Sequence, residues 1–435
     1  MTLILSPRRL AFGAFTAVAA LAAAVLPTVG ASATTAALVP NCPQELSAVG
    51  FPITPTDLVT PVAAPAVLEV ELSGTLPDGV RFYSDDHRAY FHGSPTKVQT
   101  TSVGVYAVVR NGGSSFSVEF GCSFSVKPAP SVSRIGGKDR FAQSALVSRA
   151  NFTDVDTVYL ASGEKFPDAL GAASVAAAHG SPLLLTPSTQ VTAEVMTEIA
   201  RVTPKNVVVV GGPAAVAPAV IDQLQTVLGS KVTVTRIGGA DRFEVSRNLI
   251  GDDAFGIASS KDVFIATGTN FPDALGASPA AALVDAPVLL VDGAASTLTA
   301  AEKSTLTGLG ATTATIVGGG LAVSLSLETD IAKSYMTSRV GGVDRFEVNA
   351  ALTARSFVAP LDTLYLASGS TFPDALSGGA AAGADGDALA ITAQNCVSAP
   401  TAMTIGRLVP SKVVILGGTA SLDTPLDTLK LCHTE

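Results

Sequence analysis

The chain is 435 residues long, 47% hydrophobic and 14% charged, and it holds no Trp. That is enough chain for several domains with a sizeable core, and the composition excludes a disordered tail protein, which would be charged and poor in apolar residues. A net charge of −9 with no basic stripe excludes the electrostatic footprint of a nucleic-acid binder, so no nucleic-acid partner is expected.

The first 33 residues have the layout of a signal peptide. Arg8 and Arg9 precede an apolar, Ala-rich run from Leu10 to Leu26, and Ala31-Ser32-Ala33 supplies a cleavage signature. Pro7 sits where a twin-arginine signal carries a polar lead-in, which points to the general secretory route. The mature chain is expected to begin near Thr34, secreted, with a net charge of −11, because the two arginines are the only charges removed. No later stretch reaches ~18 uninterrupted apolar residues, so no transmembrane anchor is expected. The four cysteines suit an oxidising compartment. Pairing Cys42 with Cys122 and Cys396 with Cys432 is the simplest of the three connectivities, with buried free thiols as the alternative.

Residues 34–130 carry no helical period. They alternate apolar and polar positions, as in Val67-Leu68-Glu69-Val70-Glu71-Leu72 and Ser115-Phe116-Ser117-Val118-Glu119-Phe120. Asn111-Gly112 is a hairpin signal between two such runs. The pattern predicts an all-β sandwich. Leu76-Pro77-Asp78-Gly79-Val80, Gly93-Ser94-Pro95-Thr96 and Gly104-Val105-Tyr106 make it similar to the bacterial Ig-like modules of surface proteins. Lys127-Pro128-Ala129-Pro130 reads as the linker between this module and the rest of the chain.

From residue 131 the chain repeats itself. Arg134-Ile135-Gly136-Gly137-Lys138-Asp139-Arg140-Phe141 returns as Arg236-Ile237-Gly238-Gly239-Ala240-Asp241-Arg242-Phe243, then as Arg339-Val340-Gly341-Gly342-Val343-Asp344-Arg345-Phe346. Phe166-Pro167-Asp168-Ala169-Leu170 keeps step as Phe271 to Leu275 and Phe372 to Leu376. Apolar runs ending in Gly-Gly recur at Val207 to Gly212, Thr315 to Gly319 and Val413 to Gly418. A period of 102, then 103 residues is too long for a solenoid unit, so each copy is a small domain: 131–235, 236–338 and 339–435.

One copy predicts alternating strand and helix. Val132 to Ile135, Thr157 to Ala161, Pro182 to Leu185 and Val207 to Val210 read as strands. Asp139 suits a helix N-cap ahead of Arg140 to Ala150. Further helices are expected from Asp168 to about Ala178, from Thr192 to Val202 and from Pro218 to Leu228. Fully apolar strands belong to parallel sheets buried on both faces, so the fold expected is α/β, three tandem doubly wound parallel repeats behind an N-terminal sandwich.

Counting residues narrows the chemistry. His87, His92, His179 and His433 are the only histidines, none recurs between repeats, and none lies in a zinc-ligand spacing, so no metal is expected. No G-x-S-x-G elbow occurs, and Ser162, Thr267 and Ser368 read as turn hydroxyls. Gly-Gly turns after strands resemble phosphate cradles, but neither nucleotide-binding glycine pattern occupies them, and no cofactor is expected. The openers are more informative. Arg134 with Arg140, Arg236 with Arg242 and Arg339 with Arg345 either join neighbouring repeats through Asp139, Asp241 and Asp344 or form three anion-reading pairs. These nine residues are the candidate ligand-binding set, and no catalytic residue is expected.

The openers, the Phe-Pro-Asp-Ala-Leu segments and the strand–Gly-Gly motifs make residues 131–435 similar to three tandem copies of the cell wall-binding repeat 2 family of Gram-positive surface proteins. That resemblance implies a pseudo-threefold arrangement and non-covalent attachment to an anionic secondary cell-wall polymer, with the Ig-like module displayed at the cell surface to a surface or host partner. An adhesin or S-layer-like structural protein, and a wall hydrolase, an amidase or its modifier, are the alternatives. The third copy departs from the pattern, with Leu389-Ala390-Ile391 in place of Leu183-Leu184-Leu185, and with Asp385 and Asp387. Equal binding by all three copies is therefore not implied.

Overall fold

A computed structural model describes residues 39–42, 46–59 and 63–432; the signal-peptide reading and His433 lie outside the described residues. The described part of the N-terminal module is built from strands. β1 (Leu46–Ala48), β2 (Val67–Gly74), β5 (Gln99–Asn111) and β6 (Ser114–Lys127) form one sheet in the order β1-β6-β5-β2. β3 (Val80–Ser84) and β4 (Ala89–Gly93) form a separate hairpin. The sheet is mixed: β1 runs parallel to β6, and the other pairs are antiparallel. The turn between β5 and β6 is centred one residue later than the sequence suggests. Asn111 pairs with Ser114, and Gly112 takes the positive φ of +61° that the turn demands. Inward-facing Leu68, Phe91, Val105 and Phe124 build a core between sheet and hairpin. Cys42–Cys122 ties the N-terminal segment to β6.

The first copy follows the expected order. β7 (Ser131–Ile135) leads to α1 (Arg140–Asn151), β8 (Thr157–Ser162), α2 (Phe166–Ala178), β9 (Leu183–Thr186), α3 (Ala193–Arg201), β10 (Asn206–Val210) and α4 (Pro218–Leu228). The second copy gives β11 (Thr233–Ile237), α5 (Arg242–Ile250), β12 (Asp262–Thr267), α6 (Ala277–Ala282), β13 (Val288–Val291), α7 (Ala300–Leu309), β14 (Thr313–Val317) and α8 (Leu325–Ile331). Its Phe-Pro-Asp segment forms only a short 3-10 turn ahead of α6, and Pro279 lies within the helix that follows. The third gives β15 (Met336–Val340), α9 (Arg345–Ser356), β16 (Thr363–Ser368), α10 (Pro373–Asp385), β17 (Ala388–Thr392), α11 (Ala399–Leu408) and β18 (Lys412–Leu416).

Sequence copies and sheets are offset by one strand. The three sheets are β11-β10-β8-β9, β15-β14-β12-β13 and β7-β18-β16-β17, all parallel. Each opening strand therefore completes the sheet of the preceding copy. β7, which has no preceding copy, pairs with β18 at the far end of the chain, from Ser131 beside Lys412 to Ile135 beside Leu416. The three sheets close into a ring.

The helix after each opening strand covers the next sheet. Ser144 Oγ on α1 accepts the Leu185 N–H of β9, Ser246 Oγ on α5 accepts that of Leu290, and Asn349 on α9 holds both the Ile391 N–H and the Leu389 carbonyl. Edge-strand groups that would otherwise be orphaned are satisfied this way. Small residues let the central helices meet: a methyl group on Gly383 of α10 would lie 2.7 Å from Ala177 Cβ and 3.0 Å from Ala282 Cβ. Tyr159 donates to the Phe255 carbonyl and Tyr365 to Asn151, further ties between copies. Cys396–Cys432 closes the third copy. Its Asp387 is buried, accepts the Thr363 N–H, and is pushed up to about 6 by that burial. The β module docks on this copy through Ala48 and Phe51, with Pro52 against Gly406 of α11.

Candidate functional site

The strand order 2-1-3-4 of each sheet places a topological switch point between its two central strands, where α/β folds open a crevice beyond the strand C-termini. Three motifs meet there: the Phe-Pro-Asp helix start, the Gly-Gly turn after the second central strand, and the opener of the next copy. Gly211 at φ +120° and Gly318 at φ +112° are obligatory. A Cβ there would lie 2.6 Å from Asp168 Oδ2 and 2.8 Å from Asp273 Oδ2, respectively.

Within each opener the residues divide their tasks. Asp139, Asp241 and Asp344 are N-caps of α1, α5 and α9, each accepting two backbone N–H groups of the first turn. The first arginine is fastened to the preceding copy. Arg134 donates to the Gly417 and Leu422 carbonyls and pairs with Asp427 at 2.7 Å; Arg339 donates to the Gly318 and Val323 carbonyls and pairs with Glu328 at 2.9 Å. Arg236 donates to the Gly211 carbonyl at 2.7 Å, but its buried Nη2 has no partner. The residue that would supply the carboxylate, fourth after the N-cap like Glu328 and Asp427, is Ile221. Burial lowers the Arg236 pKa accordingly.

The second arginine is held differently. Arg140, Arg242 and Arg345 each donate from Nη1 to the carbonyl of Gly163, Gly268 or Gly369 at 2.7 Å, just after the first strand of their own sheets. A guanidinium carries five N–H donors, so most of this capacity faces outward. Arg140 and Arg242 are exposed, and Arg345 is half-buried. Arg140 lies over the Phe372 ring and Arg242 over the Phe166 ring, each 5.8 Å from the centroid. Phe166, Phe271 and Phe372 converge, with centroids 5.5, 5.5 and 5.9 Å apart.

Each seam also holds a carboxyl. Burial pushes Asp168 up to about 6, against the pull of Arg242 and Lys165. Burial raises Asp273, reinforced by Asp344 and opposed by Arg345. It also raises Asp374, opposed by a 2.6 Å hydrogen bond from Ser421 and by Arg140. The cleft between the first and second copies has a volume of about 400 Å³ and is lined by Lys165, Asp168, Gly212, Gly239 and Arg242. Its counterpart between the third and first copies, about 300 Å³, is lined by Lys138, Arg140, Thr371, Asp374, Gly418 and Ser421. Ser162, Thr267 and Ser368 are buried and accept backbone N–H groups in the turns after their strands. Sequence reasoning treated the Phe-Pro-Asp segments as helix starts; their exact repetition was the signal that three of them share one place.

The sequence profile of the cell wall binding domain 2 family matches residues 134–221, 236–328 and 339–426. The chain belongs to that family. Family membership makes it a cell-wall-binding protein. It is 28% identical over 294 residues to N-acetylmuramoyl-L-alanine amidase LytC of Bacillus subtilis (strain 168), covering 68% of this chain and 57% of that one. It is 27% identical over 266 residues to the amidase enhancer of the same organism, covering 61% of this chain and 35% of that one. The chain thus spans little more than half of one relative and about a third of the other. In fold it is similar to Cwp6 from Clostridium difficile, with TM-score 0.61, 17% identity, 89% of this chain and 67% of that one. Cwp8 from the same organism gives TM-score 0.60, 22% identity, 84% and 62%. Among the described residues, no helix is long and apolar enough to cross a membrane, and no three His, Cys, Asp or Glu side chains are placed to hold a metal.

Proposed function

We propose that the cell wall binding domain 2 repeats anchor this protein at the cell surface by holding an anionic wall polymer in the clefts between copies. The observation that carries this reading is the second arginine of each opener. It lies at a seam and uses one hydrogen bond of five, whereas the first arginines Arg134 and Arg339 are fastened by several bonds and an ion pair and Arg236 is buried at its Nη2. Planar guanidiniums with outward-facing donors suit phosphate or carboxylate. The long-range field of the exported chain, expected at −11, repels such a polymer, so local arginines and repeated contacts must supply the affinity. The copies then stand about a pseudo-threefold axis, and the N-terminal β module, Ig-like in its sequence pattern, is what the anchor displays. The activity that the name of LytC states is not carried over, because the similarity to both relatives is confined to the binding repeats.

The test replaces Arg140, Arg242 and Arg345 with Gln and measures co-sedimentation with purified walls, before and after removal of their secondary polymers. Loss of binding is expected together with a modest fall in thermal midpoint, since each arginine also gives up its hydrogen bond to a glycine carbonyl. A folded triple variant that sediments like the parent would overturn the reading.

A further inference from the structure

Phe166, Phe271 and Phe372 come together although nothing in the seam clefts requires them to meet. Their rings stand mutually tilted or edge-on, with interplanar angles of 61°, 58° and 63°. This is the geometry aromatic rings adopt when they attract one another. They cap the C-terminal ends of the sheets above the Ala-rich central helices, and all three are half-buried. Partly exposed apolar rings side by side are a surface suited to a partner with its own apolar face. Two of them already carry a guanidinium 5.8 Å away, and Arg345 occupies the corresponding place in its opener. The surface is thus apolar at its centre and cationic at its rim, with half-buried Asp168 and Asp273 and buried Asp374 within electrostatic reach of the arginines.

We propose that Phe166, Phe271 and Phe372, ringed by Arg140, Arg242 and Arg345, form one axial site for a single sugar ring of an anionic wall glycan. The C–H face of the sugar lies against the aromatic rings, and its anionic substituent is taken by a guanidinium. The inference rests on the proposed function above and adds a stoichiometry. Separate seams can hold separate ligand segments independently, whereas three rings within 5.9 Å of one another leave room for one sugar. A polymer crossing this point enters by one cleft and leaves by another, so each protein holds one strand.

The chain holds no Trp, so Phe372→Trp places a sole indole at the site. The full mature chain carrying it is titrated with phosphate-bearing glycan oligomers released from purified walls, with inorganic phosphate and neutral maltohexaose as separate arms. The expected result is an emission shift that saturates at one oligomer per protein, is at least tenfold weaker with either control, and disappears when Arg140, Arg242 and Arg345 are Gln. Phe271→Leu without the indole, checked for folding by circular dichroism, should weaken calorimetric affinity at least fivefold. Three oligomers per protein with unchanged emission, or full affinity in the folded Phe271→Leu chain, would overturn the axial site and leave the seam clefts standing. No oligomer binding by the parent chain would overturn both.

Discussion

Arg236 offers a measurement of what the first opener arginine contributes. Its equivalents Arg134 and Arg339 each have a carboxylate partner, at 2.7 and 2.9 Å, and are 17% and 16% exposed. Arg236 has Ile221 where they have Asp427 and Glu328, and its buried Nη2 is unsatisfied. Ile221→Glu supplies the missing acceptor on α4. A hydrogen bond to a charged group contributes about 1.5–3 kcal/mol net. Against this stands Ile221, half-buried beside the core of the first copy, whose loss costs about 1 kcal/mol, half of a full side-chain burial. The balance is a stabilisation of about 1 kcal/mol, or a rise in thermal midpoint of about 1–2 °C if the chain unfolds as one large unit. Differential scanning calorimetry of Ile221→Glu, Arg236→Gln and the double variant separates the terms. The gain should vanish when Arg236 is Gln. A midpoint that falls in Ile221→Glu, or rises equally in both backgrounds, would refute the assignment of Ile221 as the missing partner.

Asp168 and Asp387 titrate near 6 in the folded protein, above the ordinary carboxyl value, so the native state binds more protons than the unfolded chain between about pH 4 and 6. Their contribution is present below pH 4 and is lost as pH rises through 6. Replacing both with Asn should flatten that part of the thermal midpoint profile. Polymer binding should strengthen below pH 6 for the same reason, since a protonated Asp168 no longer offsets Arg242, and affinity measured from pH 5 to 8 checks it. Each of Asp139→Ala, Asp241→Ala and Asp344→Ala should cost about 1 kcal/mol in urea unfolding, with wall binding retained, because these carboxylates cap helices. Removing Cys396–Cys432, with partners 36 residues apart, should cost roughly 4 kcal/mol in the chain-entropy account, read as a midpoint drop in the double Ser variant.

Much of the fold was legible because each local signal had a local cause. Val207 to Val210 is an unbroken apolar run and became a strand buried on both faces. Asp139 sits one residue before the helical stretch and caps it. The same reasoning could not see that Ser131 pairs beside Lys412, because ring closure depends on contacts across nearly the whole repeat region. Nor could it separate the two arginines of an opener. Arg134 and Arg140 differ in sequence only by their place around Gly136-Gly137, yet one faces the preceding Gly-Gly turn and the other faces the seam. The convergence of Phe166, Phe271 and Phe372 is likewise a property of three helices meeting, and no single copy contains it.

The offset between copies and sheets explains why joint and candidate site share one motif. An opener must leave one sheet as a strand and cover the next as a helix, within a few residues. That demands a glycine where the helix turns back: a Cβ on Gly239 would lie 2.7 Å from the Val245 nitrogen. It also demands a capping Asp, and an Arg to fasten the strand to its host sheet. These requirements account for the first arginine, the second glycine and the aspartate of Arg-Ile-Gly-Gly-x-Asp-Arg-Phe, and Phe243 is accounted for by its packing on Gly268, while the second arginine spends a single hydrogen bond on the fold. The donors that this single bond leaves over are what a ligand can use. Three copies in a row would create two such joints. Pairing β7 with β18 creates the third, bringing Arg140 to Asp374 across the ends of the repeat region. The same closure gives the third sheet the fourth strand that β11 and β15 supply to the other two. Closing the ring therefore completes the third sheet and the cleft between the third and first copies by one and the same strand pairing.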